Sequence, residues 1–187
     1  SGSHGGVSAA RFVVNEPARP HAVFFNDAGV GKDEAGIVGL AMVQACGVIG
    51  ALCPDEAPLL GLISAMGPAI AMGNTCVLVP SDPFPLAATD FYQVLETSDL
   101  PSGVVNIVTG SHAELAKPLA GHLDVDAVWS FSSAPLSAQI ETEAAGNLKR
   151  TWVNHGRARN WFGAEGEGRE FLRHATEIKT VWVPYGE

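Results

Sequence analysis

Basic residues are scarce in this sequence. Lys and Arg total 11 against 20 Asp and Glu, a formal charge of −9 over 187 residues. Nucleic acids and anionic membranes both require a basic footprint, so neither is an expected partner. Cysteine is nearly absent. Cys46, Cys53 and Cys76 are odd in number, and none forms a C-x-x-C pair. That argues against a disulfide framework and leaves buried free thiols in a reducing compartment. The histidines His21, His112, His122, His155 and His174 show no ligand spacing, so surface or capping roles are expected and no metal site. Long apolar runs are missing too. The most apolar stretch, Leu59 to Met72, is too short for a bilayer and contains Pro68. No signal peptide is recognisable, and a cytoplasmic location is the expectation. No internal repeat is visible.

What the sequence has is core material. Hydrophobic residues make up 47% and charged residues only 17%, enough for one large domain with a small appendage. The 21 Gly and 12 Pro are spread along the chain, as many short connections require. Ser1 to Gly6 looks like a cloning scar.

Short apolar runs alternate with helix-length segments. Val48 to Cys53 reads as a strand buried on both faces, and Pro58 to Met72 as a helix ended by Gly73-Asn74. Thr75 to Val79 is the next strand, stopped by Pro80, and Leu86 to Glu96 the next helix. Val104 to Val108 is a third strand, His112 to Ala120 a helix, and Ala127-Val128-Trp129 begins a fourth strand. Ser132-Ser133-Ala134-Pro135 is a helix start, since Ser caps and Pro suits the first turn. Lys149 to Val153 is a fifth strand. This alternation predicts an α/β fold, a Rossmann-like doubly wound parallel sheet of about five strands.

The ends read differently. Arg11 to Val14 and Ala22 to Phe25 are short β-like runs, and Ile37 to Val43 fits either strand or helix. Ile178 to Val183 alternates and is rich in β-branched residues, as in an exposed or partner-facing strand. The expected organisation is an N-terminal β-flap or connecting segment over 7–46, the Rossmann-like domain over 47–156, and a C-terminal segment with an assembly strand over 157–187.

Several segments carry a family likeness. They are Gly47 to Pro54 with Pro58-Leu59-Leu60, Pro68 to Leu78, Pro101 to Gly110, and Thr176 to Val181. In this order they resemble the aldehyde dehydrogenase superfamily over roughly Gly47 to Val183, and ordered co-occurrence is more specific than any one glycine pattern. In that family a whole catalytic domain separates the segment ending at Gly156 from the one starting at Phe162; here five residues lie between them.

The resemblance also implies where chemistry should sit. The family's oxyanion-binding Asn corresponds to Glu56, whose carboxylate only accepts hydrogen bonds and repels an oxyanion. Its ribose-binding Lys corresponds to Val79, with Asp82 as a neighbouring acid. A glycine that approaches the cofactor phosphates corresponds to Ser132, and a later one to Ser137; a Cβ obstructs such an approach. The general base corresponds to Asn154, which takes no proton at neutral pH. The nucleophilic Cys falls in the missing domain. Gln44-Ala45-Cys46 imitates its motif but precedes the first strand, with no basic side chain near it in sequence, so Cys46 reads as a core residue. Gly29 to Asp33 reads as a turn rather than a phosphate loop, and Gly163, Gly166 and Gly168 as a loop. Trp152, Trp161 and Trp182 read as core or interface anchors.

The implied function is that of a pseudoenzyme with no catalytic, cofactor or metal residues of its own, resembling the degenerate C-terminal module of family-16 aldehyde dehydrogenases. In the superfamily the flap strand pairs with the catalytic-domain sheet of a partner. Ile178, Thr180, Val181, Trp182 and Val183 would then form an assembly strand. Its expected partners are an aldehyde dehydrogenase catalytic module, in the same or a second chain, or another copy of this chain. Two alternatives remain open: the NAD-binding module of an NAD-dependent aldehyde dehydrogenase, holding cofactor at the Ser132–Pro135 helix start, or a small-molecule hydrolase or transferase built from Asp55, Glu56 and His155.

Overall fold

The structure, a computed structural model, describes residues 21–26, 36–167 and 169–185, and the side chains of 43–167 and 169–181. Its strands are β1 (His21–Asn26), β2 (Gly36–Ala45), β3 (Val48–Leu52), β4 (Thr75–Val79), β5 (Val105–Ile107), β6 (Ala127–Ser130), β7 (Arg150–Val153) and β8 (Thr176–Tyr185). The helices are α1 (Pro58–Ala71), α2 (Leu86–Glu96), α3 (His112–Gly121), α4 (Ala134–Ala144) and α5 (Arg169–His174). Residues 45–176 form one compact unit; the described residues before and after them belong to a second.

The larger unit is built on a five-stranded parallel sheet in the order β5-β4-β3-β6-β7. The chain starts in the middle, walks to one edge, then returns past the centre to the other, as the doubly wound expectation requires. Successive strand residues serve opposite faces. Ile49, Leu78 and Trp129 join a cluster with Leu62 and Phe171 on the side of α1 and α5. Leu52, Val79 and Val128 join Ala116, Leu119 and Ile140 on the side of α3 and α4. The sheet is therefore covered on both faces, which is why these strands are apolar throughout rather than alternating.

Local chemistry sets the element ends. Ser133 caps α4, its Oγ accepting the Leu136 N–H at 3.4 Å, and Pro stands in the first turn. Asp82 Oδ1 accepts the His112 N–H at 2.9 Å, a carboxylate at the positive end of α3. Lys149 lies just outside β7 because its Nζ donates to the carbonyls of His122 (2.6 Å) and Val125, closing the loop after α3. Val104 and Val108 also fall just outside their strand.

The second unit contains the three-stranded sheet β1-β2-β8. β1 and β2 are antiparallel, His21 opposite Val43 and Asn26 opposite Val38. The ambiguous Ile37–Val43 stretch is thus a strand, part of β2. Among the described residues β8 is an edge strand of this sheet, ten residues long. The runs Arg11–Val14 and Gly29–Asp33 lie outside the described residues.

Candidate functional site

In a sheet of this order the connections part between β3 and β6, and a crevice opens at their C-terminal ends. Here it encloses about 840 Å³, bordered by Asp55, Glu56, Ser132, Ser133, Asn154 and Arg159 among others. Glu56, Ser132 and Asn154 therefore converge, as their sequence positions suggested. Val79 does not join them. It is buried in the core on the α3 side.

Each converging side chain has a partner within the chain. Glu56 Oε1 accepts the indole N–H of Trp161 at 2.9 Å. Ser132 Oγ lies 2.6 Å from Ser130 Oγ. Asn154 closes a turn on itself, its Nδ2 donating to the Arg157 carbonyl at 2.9 Å and its Oδ1 accepting the Gly156 N–H at 3.3 Å. Asp55 Oδ1 accepts from Ser81 Oγ (2.8 Å) and from the Asp82 N–H (3.1 Å). The Ser137 hydroxyl accepts the His155 N–H at 3.2 Å, and the ring of His155 lies 3.4 Å from Glu141, not among Asp55 and Glu56. The hydrolase constellation is not assembled.

The turn after β7 lies against the start of α4. Gly156 N–H donates to the Ser132 carbonyl at 2.9 Å, its φ is +72°, and a Cβ there would stand 3.2 Å from the Ala134 nitrogen. Only glycine meets both the left-handed backbone and the close approach.

Sequence reasoning missed Arg159, which borders the crevice. Arg159 sits among the rings of Phe131, Trp152, Trp161 and Phe171, with centroid distances of 5.5, 5.3, 5.6 and 5.0 Å. Its Nε donates to the Glu165 carbonyl at 2.7 Å, and its guanidinium pairs with Glu170. Cation–π attraction of this kind strengthens with desolvation, and this side chain is only 13% exposed. Trp161 is buried edge-on against Phe131, centroids 5.0 Å apart at 90°. Gly166 lets the following turn close over it; a Cβ there would meet the Trp161 carbonyl at 2.1 Å. The signal was present in the aromatic density of Trp152, Trp161 and Phe171 around Arg159. The core-anchor reading of Trp161 holds, and the side chain of Trp182 lies outside the described residues.

Three smaller expectations need correction. Cys46 packs half-buried against the core as expected, but a basic group does lie near it: Arg150 Nη1 is 2.9 Å from its Sγ, brought by β7 and invisible in local sequence. Cys53 and Cys76 are buried as expected, and burial pushes both thiols up to about 12. His112 is not a surface residue: it is buried, with Nε2 2.7 Å from the Pro80 carbonyl, to which it donates. His174 stacks on Trp152, centroids 3.9 Å apart and planes 5° from parallel. Its burial, reinforced by Arg150, Arg173 and Arg159 and opposed by Glu170, holds its pKa below the usual 6.5. Among the described residues no cluster of potential metal ligands occurs, and no helix is long and apolar enough to cross a membrane.

The strand order and the switch-point crevice place the larger unit in the Rossmann class of nucleotide-binding folds. More narrowly, the chain belongs to the aldehyde dehydrogenase family, whose model matches residues 6–181. It is 38% identical over 120 residues to the NADP/NAD-dependent aldehyde dehydrogenase PuuC of Escherichia coli, covering 63% of this chain and 24% of that protein. Human aldehyde dehydrogenase 1A1 is 37% identical over 112 residues, with coverages of 59% and 22%. An aldehyde dehydrogenase of Pseudomonas syringae, solved with NAD+ and octanal, superposes with a TM-score of 0.60 at 34% identity, covering 62% of this chain and 24% of that one. The chain thus spans about a quarter of the length of the curated relatives it matches.

Proposed function

We infer that this chain is a non-catalytic aldehyde dehydrogenase-type module that assembles with, and stabilises, an aldehyde dehydrogenase catalytic module. The observation that carries the assembly half is β8, a ten-residue edge strand with Ile178 73% exposed. An edge of this length offers a row of backbone donors and acceptors to a strand from a partner. Ile178, Thr180, Val181, Trp182 and Val183 form its centre. The natural partner is a catalytic module preceding this one in a longer polypeptide, or the same module in a second chain.

The loss of chemistry is supported at the crevice. Glu56 corresponds to the family's oxyanion donor, and one of its carboxylate oxygens accepts from Trp161. Asn154 stands in the general base's place and binds its own turn. The residues present do not fit a dinucleotide. Val79 offers no donor and is buried. At the start of α4, Pro135 has no N–H, Ser133 Oγ accepts that of Leu136, and that of Ser137 goes to the Ser133 carbonyl. A phosphate would find few free donors at this helix end.

The test is to delete residues 178–187 and measure affinity for the catalytic module by calorimetry. Affinity should fall at least about tenfold, as loss of a main-chain-paired strand implies. Unchanged affinity refutes the reading. The rival reading, an NAD-binding module, is favoured only by the crevice's position, and NADH titrated to millimolar concentration should give no saturable fluorescence change.

A further inference from the structure

The chain crosses between its two compact units twice, after Gln44 and after Thr176. The first crossing ends β2 and the second begins β8. Side chains tie the two crossings together.

Asn74 supplies the most buried tie. It is 2% exposed, and its amide is occupied on both sides. Its Oδ1 accepts the Gly47 N–H at 2.9 Å; its Nδ2 donates to the Ala69 carbonyl at 2.9 Å and the Ala175 carbonyl at 2.8 Å. One side chain thereby joins the residue leading into β3, the end of α1 and the residue just before β8. Only an amide supplies an acceptor and two donors here; a carboxylate would face two carbonyl oxygens with no proton to share.

Arg150, on the edge strand β7, supplies the second tie. Its Nη1 donates to the Thr176 carbonyl at 2.7 Å and lies 2.9 Å from Cys46 Sγ. Cys46 Sγ in turn is 3.5 Å from the His174 carbonyl. Within the other unit, Gln44 Nε2 donates to Glu177 Oε1. The two crossings are thus linked on both sides of the boundary.

We propose that Asn74 and Arg150 are positioning residues that staple Ala175 and Thr176 to the larger unit and so keep the root of β8 ordered for a partner strand. Strand pairing requires a single register, and a strand whose root is already ordered loses less entropy when it pairs. The proposal rests on the assembly reading above, but the staple exists in the chain by itself and is tested there first.

Hydrogen exchange of the full chain is the experiment. Arg150→Gln should raise exchange in the 176–181 peptide by about tenfold while the β6 amides of Ala127–Ser130 stay unchanged, the mark of local opening. Arg150→Lys, which still donates to the Thr176 carbonyl, should recover part of the protection. Asn74→Asp also breaks the Ala69 bond and lowers global stability, so its rise at 176–181 should exceed that of the β6 amides; Arg150→Gln, whose side chain is exposed, decides the staple. A uniform rise across the chain, or no rise at 176–181, overturns the staple. In the second arm, Arg150→Gln should bind the catalytic module about fivefold more weakly. Equal affinity alongside raised exchange overturns the positioning role. If the unaltered chain binds no module, the assembly reading fails, and the exchange data alone decide the staple.

Discussion

The two ends of the parallel sheet hold similar polar residues in different ways. At the N-terminal end, Asn74 links three backbone segments from a buried position. At the C-terminal end, Asn154 and Glu56 bind a turn and an indole at an open crevice. The first arrangement is scaffold, built from residues that the family likeness retains. The second stands at the positions that the family likeness assigns to chemistry, with Glu56 bonded to Trp161 and Asn154 to its own turn. The frame is thus tied together from inside, while the polar groups at the crevice are tied at its border.

Removing the packing at the C-terminal end should have the largest effect. Trp161→Ala deletes a buried indole that touches Phe131 and releases Glu56. Urea unfolding should show a loss of about 3–5 kcal/mol, the usual range for a buried Trp. A loss below about 1 kcal/mol would mean that the segment after Gly156 merely rests on the sheet. At the other end, Asn74→Ala strands Gly47 N–H and two carbonyls, and should cost about 1–3 kcal/mol.

A pH series separates groups whose shifts run in opposite directions. His174 has its pKa held below 6.5 in the folded chain. The unfolded chain therefore binds the proton more readily, so stability is present above about pH 6.5 and falls as the pH drops below it. His174→Phe should flatten that limb while keeping the stack on Trp152. The sign reverses for Cys53 and Cys76, raised from 9.0 to about 12 by burial. Their contribution is complete below pH 9 and is lost as the pH rises towards 12. At pH 8 both should resist alkylation in the native chain, whereas half-buried Cys46 should react sooner. The smallest effect belongs to Glu56→Gln, which keeps an acceptor for Trp161 and should change stability by less than about 1 kcal/mol.

Much of the frame was legible in the sequence. Apolar runs such as Val48–Leu52 and Thr75–Val79, punctuated by Gly73-Asn74 and Pro80, specify strands and their connections without tertiary information. β2 was not, because an apolar run of this kind suits either period. At the crevice, the convergence of Glu56, Ser132 and Asn154 was implied by the family resemblance, but their partners were not. The Glu56–Trp161 bond spans 105 residues, and the contact of Arg150 with Cys46 spans 104. Such long-range pairs are set by how helices and loops return to the sheet, which no local pattern records. The burial of Val79 was set likewise by strand alternation, which turns it to the α3-side core.

The central claim is that this chain contributes assembly and no chemistry. Its most direct test is the mass, by light scattering, of an equimolar mixture with the proposed catalytic module, with aldehyde oxidation followed in the same samples. A stable complex, with no NAD-dependent rate from this chain alone, is the predicted result. Separate masses, or a cofactor-dependent rate from the isolated chain, would contradict it.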